Sequence, residues 1–196
     1  MTPRPEDHLW WLASRASGLI ALGLMTASVV IGLLMAAKLS RRPGLRAAMV
    51  KLHEQLAVIS LVAIGLHAVT LLGDPWLRPS LAGIFVPGAI DYRPLFVASG
   101  IVGAYLAAAL WLTFYARKRL GNKRWRNAHR FIIVAWSLAV VHAVGAGTDI
   151  GLAAVRWPLA ISVAGVAVLL GLRILGSAGS AQPGSAQAKP AESPGA

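Results

Sequence analysis

Apolar residues run along this chain in five long blocks, and short segments that carry most of the charges separate them. A helix needs about 20 apolar residues to cross the hydrocarbon core of a bilayer. Each block is close to that length, so the pattern predicts an all-α integral membrane protein, a bundle of about five transmembrane helices. The predicted spans are residues 16–37, 53–73, 95–116, 129–147 and about 157–175.

The composition supports a membrane protein and narrows its chemistry. Of the 196 residues, 57% are hydrophobic and 13% are charged, and the mean hydropathy is +0.65. Soluble domains carry about 25% charged residues. The chain has no Cys, which excludes disulfides, thiolate-bound zinc, iron–sulfur clusters and covalently attached heme. Any heme in this chain is therefore bound noncovalently.

The net charge of +12 is concentrated in two of the loops between the spans. Basic residues in short loops mark the cytoplasmic side of a membrane protein. We therefore predict an N-terminus outside, a C-terminus in the cytoplasm and no nucleic-acid partner. The two basic loops carry Lys38, Arg41, Arg42, Arg46 and Lys51, and Arg117, Lys118, Arg119, Lys123, Arg124, Arg126 and Arg130.

The chain divides by composition into two regions. Residues 1–176 hold all five apolar blocks and are predicted to form one transmembrane domain. Residues 177–196 are small, polar and proline-containing. Such a segment buries too little apolar area to offset the entropy lost on ordering. We predict a disordered cytoplasmic tail for this second region.

Four of the five His lie in or at the start of two spans, His53 and His67 in the second and His129 and His142 in the fourth. Ionisable side chains inside a membrane are costly and usually functional. A single membrane His is more often a residue that hydrogen-bonds between helices than a ligand. Four at matched positions favour a shared chemical role.

Depth along the spans sorts these histidines into two pairs. His67 and His142 each lie seven residues before an Asp of the loop that follows. His53 and His129 each begin a span beside basic residues. Because a single span separates the second from the fourth, those two helices run parallel. We therefore predict an outer pair, His67 with His142, and an inner pair, His53 with His129.

The spacing within each span fits two stacked metal sites, with one weakness. His53 and His67 are fourteen residues apart, about 21 Å along a helix, and lie within about 40° of one face. His129 and His142 are thirteen residues apart, which leaves them about 140° apart on an ideal helix. A distorted first turn, a π-bulge or helix tilt would reduce this angle. Two imidazoles complete the axial ligation of heme iron but not a zinc site, so the hypothesis is two b-type hemes.

These residues resemble the ferric reductase-like transmembrane domain. NADPH oxidases, ferric reductases and the heme-binding membrane subunit of the bacterial periplasmic methionine sulfoxide reductase system share this domain. The paired His spacings carry the resemblance, with the segments KRWRNAHRFIIVAWSLAVVHAV and SRASGLIAL. The similarity covers roughly residues 10–175, although relatives often have six spans and this chain shows five.

The resemblance implies His53 and His129 as ligands of an inner heme and His67 and His142 as ligands of an outer one. It also implies an oxidoreductase electron-transfer subunit in a bacterial cytoplasmic membrane. Its donor would be a membrane quinol or a cytoplasmic flavoprotein. Its outer acceptor would be a reductase subunit, ferric ion or oxygen. We find no dinucleotide fingerprint and expect no flavin or NADPH site in this chain.

Several further residues have two interpretations each. Arg15 is a candidate partner for the propionates of an outer heme. Candidates for the propionates of an inner heme are Lys51, Arg126 and Arg130. The alternative for all four residues is that they only set the orientation of the chain in the membrane. Trp136 lies between the two His of its span, either near both hemes or as packing. A set of glycines either allows close helix packing or leaves room for a flat macrocycle: Gly18, Gly23, Gly32, Gly100 and Gly103.

Two other functions compete with electron transfer. A heme-free proton or cation pathway would use the intramembrane His and Glu54 as a relay. Such a relay has no need for His at matched depths on two helices. A purely structural membrane subunit would leave four intramembrane His unexplained.

Overall fold

The computed structural model describes residues 5–37 and 42–179. Within these ranges every regular element is helical, and no strand occurs. A short 3-10 turn at Asp149–Gly151 precedes the last helix. The helices are α1 (Pro5–Ala36), α2 (Pro43–Leu71), α3 (Leu81–Phe85), α4 (Pro94–Leu120), α5 (Asn122–His129), α6 (Ile132–Ala146) and α7 (Ala153–Gly179).

Five stretches of helix in the described chain are long and apolar enough to cross a membrane. They agree with the predicted spans in number and order, which confirms the prediction of five apolar helices in an all-α protein. Each stretch is longer than the apolar block that predicts it, because the helix continues beyond that block at one or both ends. The stretches are His8–Ala36, Gly44–Leu71, Pro94–Leu120, Asn122–Ala146 and Ala153–Leu175.

The outside of the bundle is apolar. Leu95, Ile161 and Leu175 expose 82%, 69% and 71% of their surface, and many other large apolar side chains are exposed along the spans. In water, contiguous apolar surface of this kind would drive association. In a bilayer the same side chains contact lipid, so this surface suits a membrane protein.

Helix α1 lies at the centre of the bundle. Its side chains Ala21, Met25, Val29 and Leu33 are buried and recur every four residues, which places them on one stripe of the helix. Helix α1 packs against α2, α6 and α7, while α4 packs mainly against α6. This arrangement brings α1 into contact with both of the spans that carry the paired histidines.

The fourth span is broken immediately after His129. Helix α5 ends there and α6 begins at Ile132. Three backbone bonds at the break join residues three apart, which indicates 3-10 winding at about 120° per residue rather than about 100°. Three or four residues wound this way remove about half of the 140° offset between His129 and His142. The bonds are Phe131 N to Ala128 O, Ile133 N to Arg130 O and Val134 N to Phe131 O.

The last helix extends beyond the apolar block that predicts it. Helix α7 continues to Gly179, so the first three residues of the predicted tail, 177–179, are helical. The rest of the predicted tail, residues 180–196, lies outside the described residues, as do Lys38 and Arg41 of the first basic loop.

Candidate functional site

The structure brings together the His pairs that the sequence predicts. The imidazole centres of His53 and His129 lie 6.0 Å apart, with their planes at 85°. Those of His67 and His142 lie 6.1 Å apart, with their planes at 75°. Helix α2 supplies one ring of each pair, and the α5–α6 span supplies the other. The two pairs are therefore near copies of one arrangement.

The ring separation has a direct chemical meaning. Every imidazole atom lies within about 1.2 Å of the ring centre, so at 6.0 Å two ring nitrogens stay beyond hydrogen-bond distance of about 3.2 Å. If one metal atom lay between two imidazoles, each metal–nitrogen bond would be about 2.0–2.1 Å long. Each ring centre lies about 1.1 Å behind its nitrogen, so the two ring centres would be about 6.3 Å apart. The observed separations fit one bridging atom and are too long for direct proton transfer between rings.

A backbone carbonyl from a neighbouring helix holds each ring of the outer pair. His67 Nδ1 donates to the carbonyl of Ser14 in α1 at 2.7 Å, and His142 Nδ1 donates to the carbonyl of Phe96 in α4 at 2.9 Å. A carbonyl oxygen only accepts, so Nδ1 carries the proton. Nε2 is then the nitrogen with a free lone pair, as a metal-binding His requires.

The inner pair is held unequally. His53 Nδ1 donates to the carbonyl of Ser28 in α1 at 2.8 Å, and the Ser28 hydroxyl lies 2.9 Å from the same nitrogen. His129 has no such carbonyl partner among the residues described. Its ring instead stacks on Trp125, one turn earlier in α5, with 5.4 Å between ring centres and planes at 23°. Stacking limits the tilt of the ring but does not select its protonated nitrogen.

A cavity of about 860 Å³ opens beside the outer pair. Volumes of about 300–1,000 Å³ are typical of sites for small molecules and cofactors. His67 and His142 line it, together with Arg15, Trp76 and many small or apolar side chains of α1, α4 and α7. The inner pair does not line this cavity. Space for a large flat ligand is therefore present at the outer pair.

Arg15 lies at the outer cavity but is already paired. Its Nε donates to Asp149 Oδ2 at 2.7 Å, a second guanidinium nitrogen contacts Oδ1, and the guanidinium lies 3.8 Å from the centre of the Trp11 ring. The pair joins α1 to the segment between α6 and α7. Arg15 thus has a structural role that the sequence did not suggest, and its role toward a propionate stays a prediction.

Removing one partner of this pair should destabilise the bundle, because the Arg15 and Asp149 side chains are only 27% and 12% exposed. We expect Asp149→Asn and Arg15→Gln each to lower the free energy of unfolding by about 1–3 kcal/mol, the cost of leaving one partner of a partly buried bond unsatisfied, measured by thermal unfolding in detergent. The double variant should lose less than the sum of the two single variants. Strictly additive losses would show that the two side chains are not coupled.

The other charged candidates lie at the surface. Lys51, Arg126 and Arg130 are exposed, and Arg130 occupies the break beside His129. Glu54 is also exposed, so it does not extend a chain of buried relay groups. The predicted role of Arg130 as a partner for the propionates of an inner heme is not tested by these contacts and stays a prediction.

Trp136 is buried in the core near the middle of the bundle. It is 5% exposed, and its Nε1 donates to Thr26 Oγ1 of α1 at 2.9 Å. Of the two interpretations open from the sequence, packing between helices is the one that these contacts support. The bond also fixes the rotation of α6 relative to α1, and so the position of the spans that carry the histidines.

Sequence reasoning missed the residues that hold the rings: Ser14, Ser28, Phe96 and Trp125. One signal was present for the two serines. The segments SRASG (14–18) and SVVIG (28–32) share Ser and Gly four residues apart, and they lie fourteen residues apart, as do His53 and His67. Two antiparallel helices with equal spacings bring both Ser–His contacts into register. Phe96 acts through its backbone, which leaves no mark in the sequence.

Each pair offers two imidazole nitrogens. Two imidazoles are what a bis-imidazole heme would need, whereas zinc sites use three or four protein ligands. Within the described residues, no group of three or more His, Cys, Asp or Glu side chains is placed to hold a metal ion. Comparisons of the chain with protein-family models, curated proteins and solved structures found no match.

Proposed function

We propose that this chain is an integral membrane b-type cytochrome that carries electrons across a bilayer through two noncovalently bound hemes. One heme would bind at each imidazole pair. A single observation carries the proposal: two pairs of His rings on the same two spans, with centres 6.0 and 6.1 Å apart. The two pairs share nearly the same separation and a steep angle between ring planes, 85° and 75°, as two sites of one kind would.

The residues of the site suit electron transfer rather than chemistry on a substrate. Heme supplies a one-electron couple when it is bound. The two His of each pair would hold a heme iron from both sides, which would leave no iron position for a substrate. The carbonyl bonds to His53, His67 and His142 hold the rings still. Rigid ligands reduce the reorganisation that each change of oxidation state requires.

The proposal includes an orientation and partners. The end of α4 and α5 carry exposed cations beside the inner pair, including Lys118, Arg119 and Lys123. We assign this end to the cytoplasm of a bacterial cell, with the N-terminus outside and the C-terminus inside. A membrane quinol or an acidic flavoprotein would supply electrons there. A reductase subunit, ferric ion or oxygen would accept them outside, as in the ferric reductase-like proteins that the chain resembles.

A heme-free proton pathway is the competing function. The ring separation argues against it, because the nitrogens of each pair are too far apart for direct proton transfer. The Nδ1 protons of three histidines are also committed to carbonyls.

The difference spectrum of the purified protein tests the proposal. We expect the dithionite-reduced minus oxidised spectrum in detergent to be that of a b-type cytochrome, with two hemes per chain by pyridine hemochromogen assay. The protein must be purified from cells that are replete in heme. A colourless, heme-free preparation from such cells would refute electron transfer through heme and favour the proton pathway.

A further inference from the structure

Three of the four histidines are held by the same structural arrangement. The ring nitrogen Nδ1 donates to a carbonyl of an adjacent helix, and the residue four positions after that carbonyl is a glycine that faces the ring. The acceptors are Ser14, Ser28 and Phe96, and the glycines are Gly18, Gly32 and Gly100. This arrangement occurs twice in α1 and once in α4.

The geometry of an α-helix explains why glycine is needed. A carbonyl at position i already accepts from the N–H at i+4, and the side chain at i+4 stands beside that bond. At these three positions, a Cβ at i+4 would crowd the His ring that reaches the carbonyl. A Cβ on Gly18 would lie 2.9 Å from His67 Nδ1, and one on Gly100 would lie 2.6 Å from His142 Nδ1. A Cβ on Gly32 would lie 3.3 Å from His53 Cε1.

We propose that Gly18, Gly32 and Gly100 are positioning residues of the two heme sites. Each keeps one helix carbonyl open to the Nδ1–H of a His, which selects the tautomer and ring angle and leaves Nε2 to bind iron. The proposal deepens the proposed function and rests on it. Groups that contact a metal ligand, rather than the metal itself, typically change metal affinity by about 10–100-fold when they are altered.

Among the glycines whose surroundings the structure describes, the others do not share this arrangement. A Cβ on Gly103 would meet the carbonyl of Ala135 at 3.1 Å and Leu138 at 3.2 Å, so Gly103 serves the packing of α4 on α6. A Cβ on Gly165 in α7 would meet nothing within 4 Å. Gly165 is exposed and lies outside the cavity at the outer pair. It is therefore the matched control for a Gly→Ala substitution in a helix.

The effects of the three substitutions should be specific to one site each. Gly18→Ala and Gly100→Ala displace a ring of the outer pair, and Gly32→Ala displaces a ring of the inner pair. The site that a variant leaves intact reports whether the chain has folded. A merely structural glycine would lower the content of both hemes together and leave the signal of each unchanged.

The test uses the full chain in detergent and records low-spin ferric EPR signals, the midpoint potential of each heme and heme retention. We expect Gly18→Ala and Gly100→Ala to shift the outer heme signal and potential and to weaken outer heme retention about 10–100-fold. Gly32→Ala should shift only the inner signal and potential, with a smaller loss because its contact is less tight. Gly165→Ala should match the unsubstituted chain.

Two results would overturn the proposal while leaving the proposed function intact. In the first, the unsubstituted chain binds two hemes, and the EPR signals and midpoint potentials of both hemes are the same in Gly18→Ala and Gly32→Ala as in the unsubstituted chain. The other is equal loss of both hemes in each of these variants, which would assign the glycines to folding alone. An unsubstituted chain without heme would instead refute the proposed function itself.

Discussion

Replacing either His67 or His142 with Ala should leave one heme per chain and abolish electron delivery to an outer acceptor. Each variant removes one of the two rings that face each other 6.1 Å apart. The surviving ring cannot provide both axial ligands. The loss of heme retention should exceed the roughly 10–100-fold effect of altering a group that only contacts a ligand. Heme quantitation and the rate of oxidation by an impermeant acceptor measure it.

The pairing makes these two variants equivalent. Both should lose the same spectral component and keep the other. His8→Ala is the control, because His8 is exposed near the N-terminus and belongs to neither pair. Loss of different components in His67→Ala and His142→Ala would show that the two histidines do not share a heme.

Replacing His53 or His129 with Ala should remove the other heme. The ring centres of this pair lie 6.0 Å apart. In these variants dithionite should still reduce the remaining heme, because a small reductant reaches it directly. A quinol or flavoprotein donor should no longer reduce it at a measurable rate. Reduction by a quinol at the unsubstituted rate would place the donor site at the outer pair instead.

Trp125 offers a graded version of this experiment. His129 stacks on it, and no carbonyl within the described chain holds the His129 ring. Trp125→Ala should therefore loosen the inner heme, with retention lowered up to about 10-fold, whereas Trp125→Phe keeps an aromatic face and should retain it. Equal heme retention in both variants would show that the stacking does not hold His129.

The five spans could be read from the sequence because a bilayer imposes a length of about 20 apolar residues on each crossing helix. Their ends were less accurate. Helix α2, for example, begins at Pro43, ten residues before the apolar block of the second span. Polar residues continue a helix as readily as apolar ones, and hydropathy therefore marks the part of a helix in lipid rather than the whole helix.

The pairing of the histidines was also predictable, because helices that run parallel place residues of equal depth side by side. The relative rotation of His129 and His142 was not. An ideal helix puts them about 140° apart, and the break after His129 reduces that angle. Such breaks depend on packing of both segments against neighbouring helices, which local sequence does not encode.

By itself, the sequence determined that the chain has five apolar helices and that His53, His67, His129 and His142 lie at two depths. Both properties depend on local composition and on the rise of a helix, which act over a few residues. The tertiary structure decided which groups hold the rings. Ser14 meets His67 across 53 positions of the chain, and Arg15 meets Asp149 across 134. Contacts over such separations depend on helix rotation and packing, and so on the whole bundle at once.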